Sequence, residues 1–188
     1  GYTAGQHPVA GWDTITLFAE GELPTTATFT PQVGCNLQSF CADGHEYLVD
    51  IDRTGAAPSI LGTPVLYPMP NRVRDGVFTF GGRTFTFAPN NGPNYIHGLV
   101  RDQLWQLDPP CTDGDRACLT ARIAFAPGDP IYDLFPIANT LQVTYTVTPG
   151  AVRMLDLAHK GFFKPGASVL FWHTGGTAAL PAFADRLV

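Results

Sequence analysis

The sequence predicts an all-β fold, a twisted antiparallel β-sandwich built by one domain over residues 1–188. Three observations carry this. Short stretches alternate between apolar and polar residues, with two-residue periods rather than helical ones. Turn-forming pairs separate those stretches, and the chain holds 20 Gly and 17 Pro without any low-complexity run. No segment of ten or more residues carries a 3.6-residue apolar period.

The elements follow in order. Trp12-Asp13-Thr14-Ile15-Thr16-Leu17 and Ala27-Thr28-Phe29-Thr30 alternate as strands, and Pro31-Gln32-Val33-Gly34 interrupts the second. Asn36–Phe40 is the next strand, Asp43-Gly44 its hairpin turn, and His45–Val49 the return. Residues 52–70 are rich in Gly, Pro and small side chains and read as a loop containing the apolar segment Val65-Leu66-Tyr67. Gly81-Gly82 then makes a two-residue turn that sets Phe80 opposite Arg83 and Phe78 opposite Phe85. Phe78, Phe80, Phe85 and Phe87 therefore share one face, and Thr79, Thr84 and Thr86 the other. Gln103–Leu107 and Leu119–Phe125 read as further strands around a cysteine-containing loop. Asp129–Phe135 is either a strand or one helical turn. Asn139–Thr148 places Leu141, Val143, Tyr145 and Val147 on one face, and Val152–Leu157 returns across Pro149-Gly150.

Composition narrows the function. Hydrophobic residues make up 45% of the chain and charged residues only 14%, enough apolar material for a sizeable core. A net charge of −5 and a pI near 5.4 oppose nucleic-acid binding, which needs a basic face. No run of about 18 apolar residues suggests a membrane span. The N-terminus, GYTAGQHPVAG, has no basic and apolar leader, so any export signal is expected to have been removed.

Four cysteines occur. Cys111 and Cys118 flank Thr112-Asp113-Gly114-Asp115, a segment able to turn the chain back, and a disulfide between them is expected to staple that loop. Cys35 and Cys41 lie in an extended segment. Six strand residues span roughly 20 Å, so this pair reads as two buried thiols unless a turn intervenes. Neither spacing is a zinc knuckle, and no metal or cofactor is expected. The cysteines favour an oxidising compartment, secreted or periplasmic, with the cytoplasm as the alternative.

The sequence has no GxSxG, P-loop or HExxH motif, and only three serines, Ser39, Ser59 and Ser168. His7, His45 and His159 sit in surface contexts. His97, in IHGL after a polar loop, and His173, closing the apolar run VLFW, are the histidines placed to move a proton. Arg72 either pins its loop or presents a fork of donors to hydroxyls or a carboxylate. Trp105, Trp172 and Tyr95 are readable either as core or as platforms for a sugar ring.

One long stretch joins these features: PVLYPMPNRVRDGVFTFGGRTFTFAPNNGPNYIHGLVRDQLW. Asn71-Arg72, Gly76, Phe78, Asn90 or Asn91, His97-Gly98 and Trp105 together resemble the signature region of the aldose 1-epimerase (galactose mutarotase) family. The flanking TPQVGCNLQSFCADGHEYL and NTLQVTYTVTPGAVRMLDL resemble that family's early hairpin and the strand pair before its second histidine. The resemblance implies a galactose mutarotase-like supersandwich, of which this sequence covers about the first half. It implies His173 as general acid at the ring oxygen. His97, Arg72, Asn71, Asn91 and Trp105 would hold and polarise the sugar. Two departures stand out: Thr174-Gly175-Gly176 replaces an aromatic pair after His173, and no residue matches the family's Glu base. The expected ligand is a hexose. A second chain would be expected to complete the fold of such an enzyme; the alternative is a catalytically inactive extracellular β-sandwich that binds carbohydrate or self-assembles into a homo-oligomer or filament.

Overall fold

The computed structural model describes residues 1–8, 10–48 and 61–154. Two antiparallel sheets face each other. The first has the order β1-β2-β3-β4-β5, formed by Tyr2–Gln6, Asp13–Ala19, Thr25–Thr30, Asn36–Ala42 and His45–Glu46. The second has the order β12-β11-β10-β8, with β9 also paired to β10. Its strands are Ala151–Met154, Asn139–Thr148, Arg116–Phe125, Gln106–Leu107 and, for β9, Cys111–Asp113. A separate hairpin, β6 (Val77–Phe80) and β7 (Arg83–Thr86), precedes the second sheet in the chain. A single helical turn, α1 (Pro130–Leu134), links β10 to β11.

Period-two alternation builds the core. Along β10, Ala117, Leu119, Ala121, Ile123 and Phe125 are buried, and Val143, Tyr145 and Val147 of β11 join them. Leu17, Ala27 and Phe29 face them from the first sheet. Phe29 and Tyr145 bring the layers together with ring centroids 4.5 Å apart. The Tyr145 hydroxyl donates to the Cys35 carbonyl at 3.4 Å. Outward faces carry cross-strand threonine pairs, Thr16 with Thr28 and Thr120 with Thr144, each at 2.9 Å.

The expected hairpin register is observed: Phe78 opposes Phe85 and Phe80 opposes Arg83. Three of the four phenylalanines pack inward. Phe78 stacks on Phe85 at 4.8 Å, Phe85 meets Phe135 at 5.2 Å, and Phe87 stacks on Tyr95 at 4.9 Å. Phe80, beside the turn at the tip, is 69% exposed. The Asp43-Gly44 turn also forms, with both residues at positive φ.

Several expected elements differ. The strand expected over Gln103–Leu107 shrinks to Gln106–Leu107, because the Trp105 amide bonds instead to the Pro31 carbonyl at 3.0 Å. Of the return expected over His45–Val49, His45–Glu46 forms the strand, the Tyr47 amide still bonds to the Phe40 carbonyl at 2.9 Å, and Val49 lies outside the described residues. The Glu46 carboxylate accepts from the Ser39 hydroxyl and from the Phe40 and Leu48 amides. Asp129–Phe135 resolves as the helical turn. Strand β1 has no counterpart in the sequence reading: all five residues are exposed, and pairing with β2 alone defines it.

Candidate functional site

The hairpin determines where the polar residues of the long motif meet. Before it, Val73 forms an antiparallel bridge with Tyr95 through two backbone hydrogen bonds, of 2.7 and 3.1 Å. A 3-10 turn at Arg74–Gly76 then leads into β6. Gly76 has φ 65°, and a Cβ there would collide with the Phe87 carbonyl, so the two ends of the hairpin close together only over glycine. The chain after Phe87 is tied by its own asparagines. The Asn90 side chain accepts from the Ile96 amide at 2.8 Å and donates to its carbonyl at 3.1 Å. Asn91 and Asn94 form a second small bridge.

These ties bring Arg72 and Asn91 into contact: Arg72 Nε donates to Asn91 Oδ1 at 3.0 Å. Asn71 sits beside them and accepts from the Arg72 amide at 2.8 Å. With Nε committed, the two terminal amino groups of Arg72 remain as donors on an exposed side chain.

His97 completes the cluster. It has φ 74°, unusual for a residue with a Cβ, and Gly98 follows at φ 69°. A Cβ on Gly98 would collide with the backbone of Tyr67, whose carbonyl accepts from the Leu99 amide at 2.7 Å. The Tyr95 hydroxyl donates to the Gly98 carbonyl. His97 Nδ1 lies 3.0 Å from Arg101 Nη1, and Arg101 Nε reaches Asp102 at 3.2 Å. Partial burial, then the charges of Arg101 and Arg72, hold the imidazole below its ordinary pKa.

The structure therefore joins Asn71, Arg72 and Asn91 by hydrogen bonds, with His97 near enough to Arg72 to feel its charge. It corrects the expectation for Trp105. That side chain is 2% exposed, and its indole N–H donates to the Val100 carbonyl at 3.0 Å, so it is a core buttress beneath the site and offers no face to a sugar. Tyr95 is likewise engaged, through Phe87 and Gly98. His173 and Trp172 lie outside the described residues, as does His159. Arg101 was not singled out by the sequence reading. Its only signal there is a four-residue spacing from His97, which has no meaning until the turn at His97-Gly98 folds the segment back.

The cysteines partly follow expectation. Cys111 and Cys118 stand directly opposite each other in the β9–β10 register, but both are free thiols and the expected disulfide is not formed. A hydrogen bond between the two thiols, with a little burial, pushes Cys111 above its ordinary pKa. Cys35 is fully buried, and desolvation raises its thiol to about 12.

Two surface recesses, of about 380 and 390 Å³, lie around β3, β4 and β5 and include neither Arg72 nor His97. Among the described residues, no group of three or more His, Cys, Asp or Glu is arranged to hold a metal ion. No helix among them is long and apolar enough to cross a membrane.

The sequence profile described as aldose 1-epimerase matches residues 24–160, well over half of the chain. The chain belongs to the aldose 1-epimerase family. Solved structures agree on the fold. A galactose mutarotase-like protein from Clostridium acetobutylicum superposes with a TM-score of 0.69 at 23% identity, over 82% of this chain and 47% of the other. A protein from Synechocystis gives 0.61 at 22% identity, over 74% of this chain and 46% of its own. A galactose 1-epimerase from Lactobacillus acidophilus gives 0.58 at 18% identity, over 79% and 44%. This member of the family thus spans about half the length of the solved structures it matches.

Proposed function

We propose that this aldose 1-epimerase family chain provides the Arg72–His97 part of a hexose site and takes part in interconverting the sugar's anomers. What supports the reading is the hydrogen-bonded Asn71–Arg72–Asn91 group, with His97 within reach of the Arg72 charge, in a chain of this family.

The chemistry asks for little more than proton movement at two oxygens. A proton passes to the ring oxygen as the C1 hydroxyl loses one, and the bond between C1 and the ring oxygen breaks to leave an open-chain aldehyde. Rotation about the C1–C2 bond and closure on the other face give the second anomer. Proton count and redox state are unchanged. Charge develops on oxygen atoms, so fixed donors placed against them lower the barrier. Arg72 and His97 supply such donors. His173 is proposed as the acid, on its resemblance alone, and no carboxylate is assigned as the base.

Polarimetry of freshly dissolved α-D-glucose or α-D-galactose tests this directly. The expected result is relaxation faster than in buffer, slowed sharply in H97Q and R72M and also in H173A. A rate equal to buffer with the folded chain present, and no perturbation of His97 resonances by either sugar, would overturn the reading.

A further inference from the structure

We infer that Arg101 is a positioning residue that fixes His97 as the Nε2-protonated neutral tautomer and aims that N–H outward as a donor. This deepens the sugar-site reading above and rests on it only for the identity of what the N–H meets.

A guanidinium has donors and no acceptor. At 3.0 Å between Arg101 Nη1 and His97 Nδ1, the imidazole nitrogen must be the acceptor, so it carries no proton. The neutral ring then holds its single proton on Nε2. Water cannot impose this choice, since it donates and accepts equally well. An amide or a carboxylate at the same place would permit or favour the other tautomer.

Arg101 is built to hold this position. Its side chain is 17% exposed, and Asp102 engages Nε at 3.2 Å from the other side. Its main chain is clamped from both directions. Val100 receives the Trp105 indole N–H, and Gly34 donates its amide to the Gln103 carbonyl at 2.9 Å. Gly34 has φ 70°, and a Cβ there would fall 2.6 Å from the Arg101 carbonyl oxygen and 2.8 Å from its Cα. The connection between β3 and β4 thus abuts the Arg101 backbone at a point where only glycine fits. At the other end, the positive φ of His97 turns its ring back over the same segment. Two rigid supports, one on each partner, are what a fixed tautomer requires.

The charges facing His97 point the same way. Arg101 and Arg72 both oppose an imidazolium, and Asp102, the nearby carboxylate, is engaged with Arg101. His97 so placed is a hydrogen-bond donor to a hydroxyl or ring oxygen rather than a proton reservoir, which leaves acid catalysis to another group.

Long-range proton–nitrogen NMR of the histidines in the 188-residue chain, without sugar, provides the test. The wild type should show an unprotonated Nδ1 and a protonated Nε2 for His97. In R101M the two tautomers should mix and His97 should titrate at higher pH. R101K, which restores a donor, should recover part of the wild-type pattern. A wild-type proton on Nδ1 would overturn the proposal, as would an unchanged tautomer and titration in a folded R101M. If R101M does not fold, R101Q takes its place, and a tautomer ratio and titration identical to wild type in it would overturn the proposal. Adding D-galactose afterwards separates the two readings. A fixed tautomer with no sugar-induced shift retains the role of Arg101 and removes the sugar.

Discussion

Asn91 Oδ1 accepts from Arg72 Nε at 3.0 Å although the two residues stand 19 positions apart in sequence. This bond converts a flexible arginine into a fork with one edge fixed. Replacing Asn91 by Ala should free the fork and remove a hydrogen bond worth about 0.5–1.5 kcal/mol. Affinity for a hexose should weaken by up to about tenfold with the fold unchanged. Titration calorimetry or NMR with D-galactose measures this, and an unaltered affinity would remove Asn91 from the site.

Gly98 cannot accept a side chain. G98A combines a left-handed backbone conformation with a collision against Tyr67, and the first of these alone costs about 1–2 kcal/mol. The urea midpoint should drop and the Tyr95 and His97 resonances should shift, whereas G81A at the open hairpin tip should leave those resonances in place.

The phenylalanines of the hairpin share one face but not one role. Phe85 is 3% exposed and Phe80 69%. F85A should therefore cost about 3–5 kcal/mol, and F80A no more than about 0.5 kcal/mol. Denaturant titrations of the two variants give the comparison, and equal losses would mean that the tip is covered in solution.

Stability should fall in two steps on acidification. Below the ordinary imidazole value of 6.5, the unfolded chain takes up a proton that folded His97 resists, so stability declines until the folded residue titrates as well. Glu46 acts lower. Burial raises its pKa, but hydrogen bonds from Ser39 and from the Leu48, Phe40 and Tyr47 amides outweigh that and bring it below its ordinary 4.5. Its contribution is complete above 4.5 and is lost as pH falls through the folded value. H97N should flatten the upper step and E46Q the lower one in unfolding midpoints followed against pH.

The thiols should divide sharply. Cys35, buried and with its pKa pushed to about 12, should resist iodoacetamide until the protein unfolds. Under a glutathione redox couple, any intramolecular disulfide should join Cys111 to Cys118, which the β9–β10 register holds face to face. Peptide mapping that found Cys35 or Cys41 in a disulfide would contradict this arrangement.

Much of this molecule was legible from alternation and turn chemistry. The Gly81-Gly82 hairpin, the Asp43-Gly44 turn and the 139–148 strand all appear where their patterns place them, because a half-buried strand dictates its own residue types. Two kinds of feature were not legible. Strand β1 owes its form to β2 and carries no apolar face of its own. The family resemblance assigns Trp105 to the sugar, whereas a tryptophan in a strand taken by itself reads first as core. Its neighbour Leu104 is 68% exposed while Trp105 is buried, an inversion imposed by contacts with Pro31 and Val100. Arg101 belongs to the same class, since its meaning arises from a backbone angle at His97 that no local pattern announces.

The Val73–Tyr95 bridge also bears on how the site comes into being. Between its two ends lies a hairpin with a two-residue turn, whose pairings are local in sequence. Once that hairpin forms, the stretch that must still be closed is reduced to the few residues at its base, and the loop-closure entropy falls with it. Arg72 and His97 should therefore find each other early in folding, by local zipping rather than by a search across the chain.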